Sequence, residues 1–227
     1  MTLIRYAGAL AVALALAGCG PGGGDAASSS SSSESTPAPS ASALPTMTAA
    51  PPPTTPPNGK PVAFRDYLAS INVSGEPTHL DKAPGLSVTV PVPDGWVQSD
   101  DPLFSTGVEF IQPVGAAGAF PSVTLMAIKL SGDFGAREAI RHANSDALAP
   151  TATDVTESFD DYDGFPSAAT QGTSGGAQHY SRIVLADVPS TKTRYLVQLT
   201  VATQVDQPIA QSPALNGIVS GFKVAVS

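Results

Sequence analysis

The chain is poor in cysteine, in charge and in aromatic rings. Of its 227 residues one is cysteine, 13% are charged and 6% are aromatic. A lone cysteine excludes an intramolecular disulfide, so an exported domain would have to stand on its apolar core. Eleven Lys and Arg against nineteen Asp and Glu leave a net charge of −8. From residue 60 onward the balance is 10 basic to 17 acidic. That argues against nucleic acid and anionic head groups as main partners, because both need a basic footprint. No apolar run reaches the roughly 20 residues that a bilayer-spanning helix needs. The three histidines, at 79, 142 and 179, include no pair spaced i, i+4, and no Cys/His cluster has zinc spacing. No phosphate-cradling glycine loop is present either.

What is there begins near the N-terminus. Arg5 precedes an aliphatic run from Ala7 to Ala17, and Leu16-Ala-Gly-Cys19 closes it. A basic start, a short apolar segment and small residues at the end are the layout of a bacterial secretory signal. The unique cysteine after Leu-Ala-Gly resembles a lipobox. On this reading residues 1–18 are removed and the Cys19 sulfur carries a diacylglyceryl group, so acyl chains hold the protein to the outer face of the cell membrane. Ser28 to Ser33 is a serine run, and Pro37 to Pro57 is dense in Pro, Thr, Ala and Ser. Such composition offers too little apolar surface to offset its ordering entropy. Residues 19–60 therefore read as the lipidated cysteine plus a tether, and residues 61–227 as a single domain.

Inside the domain, Phe64, Tyr67, Leu68 and Ile71 recur at helical spacing. Strands are expected at 86–90, 96–97, 107–112 and 122–130. Val123, Leu125 and Ala127 alternate there with Met126, Ile128 and Leu130, which suggests a strand covered on both faces. Asp133 is placed to cap a helix that carries Ala136, Ala139, Ile140, Ala143 and Ala147 and stops at Pro150. Strands at 153–159, 166–172, 178–186 and 193–203 alternate with turn chemistry. A last helix is expected near 207–220, with Phe222 and Val224 completing the core. The tight hairpins make the class α+β with a mainly antiparallel sheet.

Three groups of residues invite a chemical reading. Gly172-Thr-Ser174-Gly-Gly176 matches the G-x-S-x-G nucleophile pattern of serine esterases. That chemistry needs a strand-to-helix elbow and a later histidine. Here an alternating strand follows, and the last histidine is His179. A hairpin turn is the better reading, so no catalytic residue is assigned and no cofactor or metal is expected. Asp160, Asp161 and Asp163 hint at a calcium loop, but Phe159 and Thr170 occupy positions where the EF-hand pattern needs acids. Trp96, after Pro-Asp-Gly, is either core or the lip of a ligand site. Phe165, Arg194 and Tyr195 complete the set of candidate ligand-binding residues. Arg182 beside Tyr180 could likewise order a polar head group or face solvent on an edge strand.

Taken in order, Phe64-Arg-Asp-Tyr-Leu68, Gly75-Glu-Pro77, Pro91-Val-Pro-Asp-Gly-Trp96, Asp163-Gly-Phe-Pro-Ser167 and Arg194-Tyr-Leu-Val-Gln-Leu-Thr200 resemble the LpqN/LpqT family of mycobacterial lipoproteins, the LpqT-like branch above all. The resemblance covers nearly all of 61–226. It implies a PsbP-like fold and no catalytic machinery. It also implies a role in the cell envelope, through a mycolate-type glycolipid or a lipid-export membrane protein. For LpqT-like members it implies a surface antigen acting on host Toll-like receptor 2 through its acyl chains. A protein–protein adaptor without a small ligand is the alternative.

Overall fold

The computed structural model describes residues 62–99, 107–116, 120–145 and 147–227. These belong to one compact unit of the chain, Ser40–Ser227. Cys19 and the whole expected tether, residues 19–60, lie outside the described residues. The element order is α1 (Phe64–Ser70), β1 (Ser74–Pro77), β2 (Leu86–Thr89), β3 (Trp96–Ser99), β4 (Val108–Pro113), β5 (Ser122–Ser131), α2 (Ala136–Ala139), β6 (Thr153–Tyr162), β7 (Phe165–Ser174), β8 (Ala177–Val188), β9 (Thr193–Gln204), α3 (Pro213–Gly221) and β10 (Lys223–Val226). The class is α+β.

The main sheet runs β3-β4-β5-β9-β8-β7-β6, antiparallel at every pairing. Two strands divide one edge of β5. β4 pairs with Val123–Met126 and β1 with Ile128–Ser131. Between them Gly107 accepts from Ala127 N at 3.4 Å, and Ala127 O accepts from Thr78 N at 3.0 Å. A Cβ on Gly107 would stand 2.7 Å from Thr78 backbone, and its φ is +82°. Only glycine lets the two strand ends meet this closely.

Alternation along β5, β8 and β9 sends side chains to both faces, and both are covered. Val123, Leu125, Val184, Val197 and Leu199 face α3 and the β2–β10 ribbon, which bring Leu215, Ile218, Phe222 and Val224. Leu130, Ile183, Leu185 and Leu196 face α1 and α2 through Phe64, Leu68, Ala139 and Ile140. At roughly 25 cal/mol per Å² of apolar surface, these two layers are the main source of stability in a domain without disulfides.

Two expected helices are shorter than their patterns. Gly135, not Asp133, caps α2, which runs one turn and tightens into a 3₁₀ turn at Ile140–His142. Buried Asn144 donates to Ala169 O of β7 at 3.1 Å, and Ala139 and Ala143 let the backbone approach the sheet. That tertiary bond outweighs continued helix. At the C-terminal side, Ile209–Gln211 is a separate 3₁₀ turn. Ser212 precedes Pro213 and is extended, at φ −92° and ψ 109°. A residue before proline is pushed out of the helical region, so α3 restarts there, with Ser212 Oγ accepting from Leu215 N at 3.3 Å.

Candidate functional site

The nucleophile-like motif is a hairpin. Ser174 ends β7, Ala177 opens β8, and Gly175 and Gly176 between them have φ of +59° and +77°. Two left-handed residues make the tight turn that matches strand twist, and glycine takes it at little cost. There is no helix behind the serine to form an elbow. An unactivated hydroxyl is a poor nucleophile. Ser174→Ala should cost under about 1 kcal/mol, and a fluorophosphonate probe should not label the wild type. Stoichiometric labelling that the alanine variant abolishes would establish an esterase.

The aspartates of the 160–163 segment are each engaged. Asp160 accepts from Arg182 Nη1 at 2.9 Å and from Ser167 Oγ. Asp161 pairs with Arg137 at 3.0 Å. Asp163 accepts from Val224 N at 2.9 Å and meets Lys223 at 3.6 Å. The three carboxylates thus tie β6 to α2, β7, β8 and β10. Arg182 is not on a solvent face: it is 4% exposed on an interior strand. Its Nε donates to Tyr180 Oη at 3.0 Å, its Nη1 to Ser167 Oγ at 2.8 Å, and its guanidinium lies 4.3 Å from the Tyr162 ring centre. Burial acts to lower its pKa, but the Tyr180 and Asp160 interactions outweigh that and hold it above its ordinary value. Tyr162 is pushed up to about 12, chiefly by burial, with Arg182 pulling the other way. Its hydroxyl donates to Phe222 O at 2.6 Å. This network fastens the C-terminal elements to the sheet.

His142 stacks on Tyr67 with ring centres 3.7 Å apart, joining α2 to α1, and burial lowers its pKa. No group of three metal-ligating side chains occurs among the described residues, and no helix there is long and apolar enough to cross a membrane.

The four candidate ligand residues do not converge. Trp96 is half-buried on β3, and Phe165 is half-buried on β7. Five strand spacings separate them, about 24 Å on an ideal sheet. Arg194 and Tyr195 are neighbours on β9 and therefore point to opposite faces. Arg194 pairs with Asp187, its partner across β8, and covers the Phe134 ring at 4.3 Å. Tyr195 lies in the core layer on the other face.

Register brings Tyr195 to a different set of residues. Glu76, Lys129 and Tyr195 form one cross-strand row on β1, β5 and β9. Side chains in such a row have Cβ atoms about 5 Å apart. His79 to Pro84 crosses above the row, with a 3₁₀ turn at Leu80–Lys82 and with Leu80 and Ala83 set into the core. The result is an open depression of about 330 Å³ whose wall includes His79, Lys82, Lys129, Thr193 and Tyr195. It meets a second one, of about 570 Å³, at Lys129 and Thr193. Lys192, Arg194, Asp133 and Asp187 belong to the second depression.

Tyr195 is 1% exposed. Its hydroxyl nevertheless has no hydrogen-bond partner among the described residues, and the side chain forms part of the depression wall. Buried tyrosine hydroxyls ordinarily find a partner. Burial also raises its pKa, so at neutral pH the group stays a proton donor. Among the described residues only Thr170 Oγ1 is a buried side-chain polar atom without a partner, so the Tyr195 hydroxyl reaches the recess and its water, where an acceptor on a ligand could replace that water. Sequence reading found Tyr195 but not Lys82, Lys129 or His79. Only strand register and the 79–84 crossing place those three beside it.

A two-layered core around an antiparallel sheet, with an open polar recess, makes this an α+β domain, and the lipobox-like motif upstream is the one a lipoprotein carries. Comparison with known proteins gives the family. The family profile described as "Probable lipoprotein LpqN" matches residues 60–225, and the chain belongs to the LpqN/LpqT lipoprotein family. It is 37% identical over 172 residues to "Putative lipoprotein LpqT" of Mycobacterium leprae, covering 73% of this chain and 78% of that protein. Identity to the Mycobacterium tuberculosis H37Rv protein of the same description is 36%, covering 73% and 74%. The "Proline-rich 28 kDa antigen" of that strain is 32% identical over 187 residues, covering 79% and 60%. Among solved structures, LpqN of Mycobacterium tuberculosis, described as involved in cell envelope biogenesis, superposes with a TM-score of 0.57. That match spans 72% of this chain and 98% of LpqN at 20% identity, a likeness of fold.

Proposed function

We propose that this protein is a non-catalytic lipoprotein of the cell envelope, held by acyl chains on Cys19 to the outer face of the cell membrane, which binds the polar head of an envelope lipid. The observation that carries the reading is the Tyr195 hydroxyl, without a protein partner at the wall of the joined depressions, on a ring that the core holds fixed. Small-ligand sites combine a recess with a few fixed polar groups. The depressions are open rather than tunnel-like. The head, and not a whole acyl chain, is therefore the part recognised. A role in envelope biogenesis is consistent with the description of LpqN.

The test is mass spectrometry of the full protein isolated from its own envelope in mild detergent. The expected result is one lipid per protein, lost in Tyr195→Phe while the thermal unfolding midpoint moves by no more than a few degrees. A lipid-free protein that instead retains a membrane-protein partner would overturn this reading and establish the adaptor alternative, in which a lipid-export protein is the partner.

A further inference from the structure

The end of β3 and β4 remote from their connection carries an exposed apolar corner. Three of the six large apolar side chains exposed among the described residues lie there: Val92 at 43%, Val97 at 42% and Val114 at 70%. Val114 N donates to Gly95 O at 2.8 Å, and Val97 stands opposite Gln112. Val97 and Val114 are therefore diagonal neighbours on one face, about 7 Å apart. Trp96 and Pro113 are a cross-strand pair on the other face, where the indole is half-buried against the core. A Cβ on Gly95 or Gly115 would meet nothing within 4 Å among the described residues. Of residues 91–97 and 112–116 only Asp94 is charged. The next acid along this strand pair, Glu109, accepts from Gln98 Nε2 at 2.6 Å.

Single exposed valines are ordinary, but a contiguous apolar corner marks a contact. Its size and shape select the occupant. β3 has four residues, and prolines stand at 91, 93 and 113. A strand so short and so flanked is a poor template for pairing with another chain. A stable protein interface buries roughly 800 Å² on each partner, more than these few side chains provide. A lipid layer needs no such area. An indole at the head-group boundary and a few apolar side chains beside it are enough. We propose that this corner dips into the surface of the lipid layer that carries the acyl anchor. The inference rests on the anchoring part of the reading above and adds a second point of contact. On that reading residues 19–60 keep the domain within about 35 Å of Cys19. A contact too weak to hold a free domain then persists, because the tethered domain meets the layer at high local concentration. With Asp94 as its one charge, the corner enters among head groups of no net charge, and the acidic remainder of the domain stays outside.

The chain's one tryptophan stands in this corner, so its fluorescence reports insertion directly. The full acylated chain is reconstituted into phosphatidylcholine vesicles, with and without bromine on the lipid chains as a quencher of indole. Bromine should roughly halve the Trp96 emission, as for a ring at the head-group boundary. Val92→Asp/Val114→Asp, whose two sites lie outside the strands, should lose most of that quenching and keep the wild-type unfolding midpoint. Val205→Asp, at an exposed valine elsewhere, should be quenched as the wild type is. Raising salt should change nothing, because apolar contact is not screened. The Cys19→Ala chain should need roughly a hundredfold more lipid for the same quenching. An acylated chain that floats with the vesicles while Trp96 stays unquenched would overturn the docking and leave the anchor standing. Quenching that survives in Val92→Asp/Val114→Asp would remove this corner as the contact. A chain that does not float, yet is quenched at high lipid, would uphold the docking and overturn the anchor. Neither flotation nor quenching would overturn both. A lipid-free dimer that shields Trp96 from iodide would overturn the lipid layer in favour of a second copy of the chain.

Discussion

Replacing Asp160 by alanine is expected to destabilise the domain by about 3 kcal/mol, while Arg182→Met costs only about half as much. The pair is asymmetric. The Arg182 side chain is 5% exposed and that of Asp160 45%. Removing the arginine leaves a carboxylate that water can reach, and a methionine fills much of the vacated stem volume. Removing the aspartate leaves a buried cation with only two hydroxyls and the Tyr162 ring around it. Breaking a buried pair costs most when a charge is left behind without its partner. Urea unfolding of both variants and of the double variant measures this. The double variant should recover part of the loss that Asp160→Ala alone incurs. If Arg182→Met proved the more damaging of the two, side-chain packing rather than buried charge would govern this region.

Cys19→Ala should produce the largest change in behaviour and almost none in folding. The wild type, expressed in a mycobacterial host, should enter the detergent phase of a Triton X-114 separation. The variant should stay in the aqueous phase and no longer activate a lipopeptide receptor such as Toll-like receptor 2. A buried CH₂ group is worth about 0.8 kcal/mol, so losing two acyl chains shifts partition by many orders of magnitude. The acidic domain supplies no compensating attraction to an anionic membrane. Unchanged partition of the variant would remove the lipobox reading. The thermal midpoint should be the same in both, because Cys19 lies far upstream of Phe64, the first core residue described.

The long strands were legible in the chain because period-two patterning and turn residues agree there. Asp163-Gly164 and Gly175-Gly176 mark their hairpins, and Val123 to Leu130 announces a strand buried on both faces. The short strands were not. Ser74–Pro77 is exposed throughout, and nothing in its composition signals pairing. It is a strand because Ile128–Ser131 offers an open edge. The β2–β10 ribbon joins residues more than a hundred positions apart, a contact no local pattern encodes. The two shortened helices failed for a related reason: Asn144 and the Ser212–Pro213 step answer to the sheet and to proline sterics, not to apolar period. The candidate site divides in the same way. Tyr195 stood out locally, whereas Lys129 reaches it through register and Lys82 through the 79–84 crossing. Trp96 stood out too, and serves the far edge of the sheet.

The shared edge of β5 also sets how the domain would bear load. A chain held at its N-terminus receives tension through α1 and then β1, before any other strand. β1 is held to β5 over four residues, whereas β4 is fixed independently beyond the Gly107 seam. Under pull, the seam acts as a tear line: β1 can peel from β5 while the seven-strand path behind it stays intact. Because Glu76 and Pro77 of β1 form one wall of the recess beside Lys129, strain on the leash reaches the pocket first. The mechanical entry point of the molecule and its binding recess are one and the same strand.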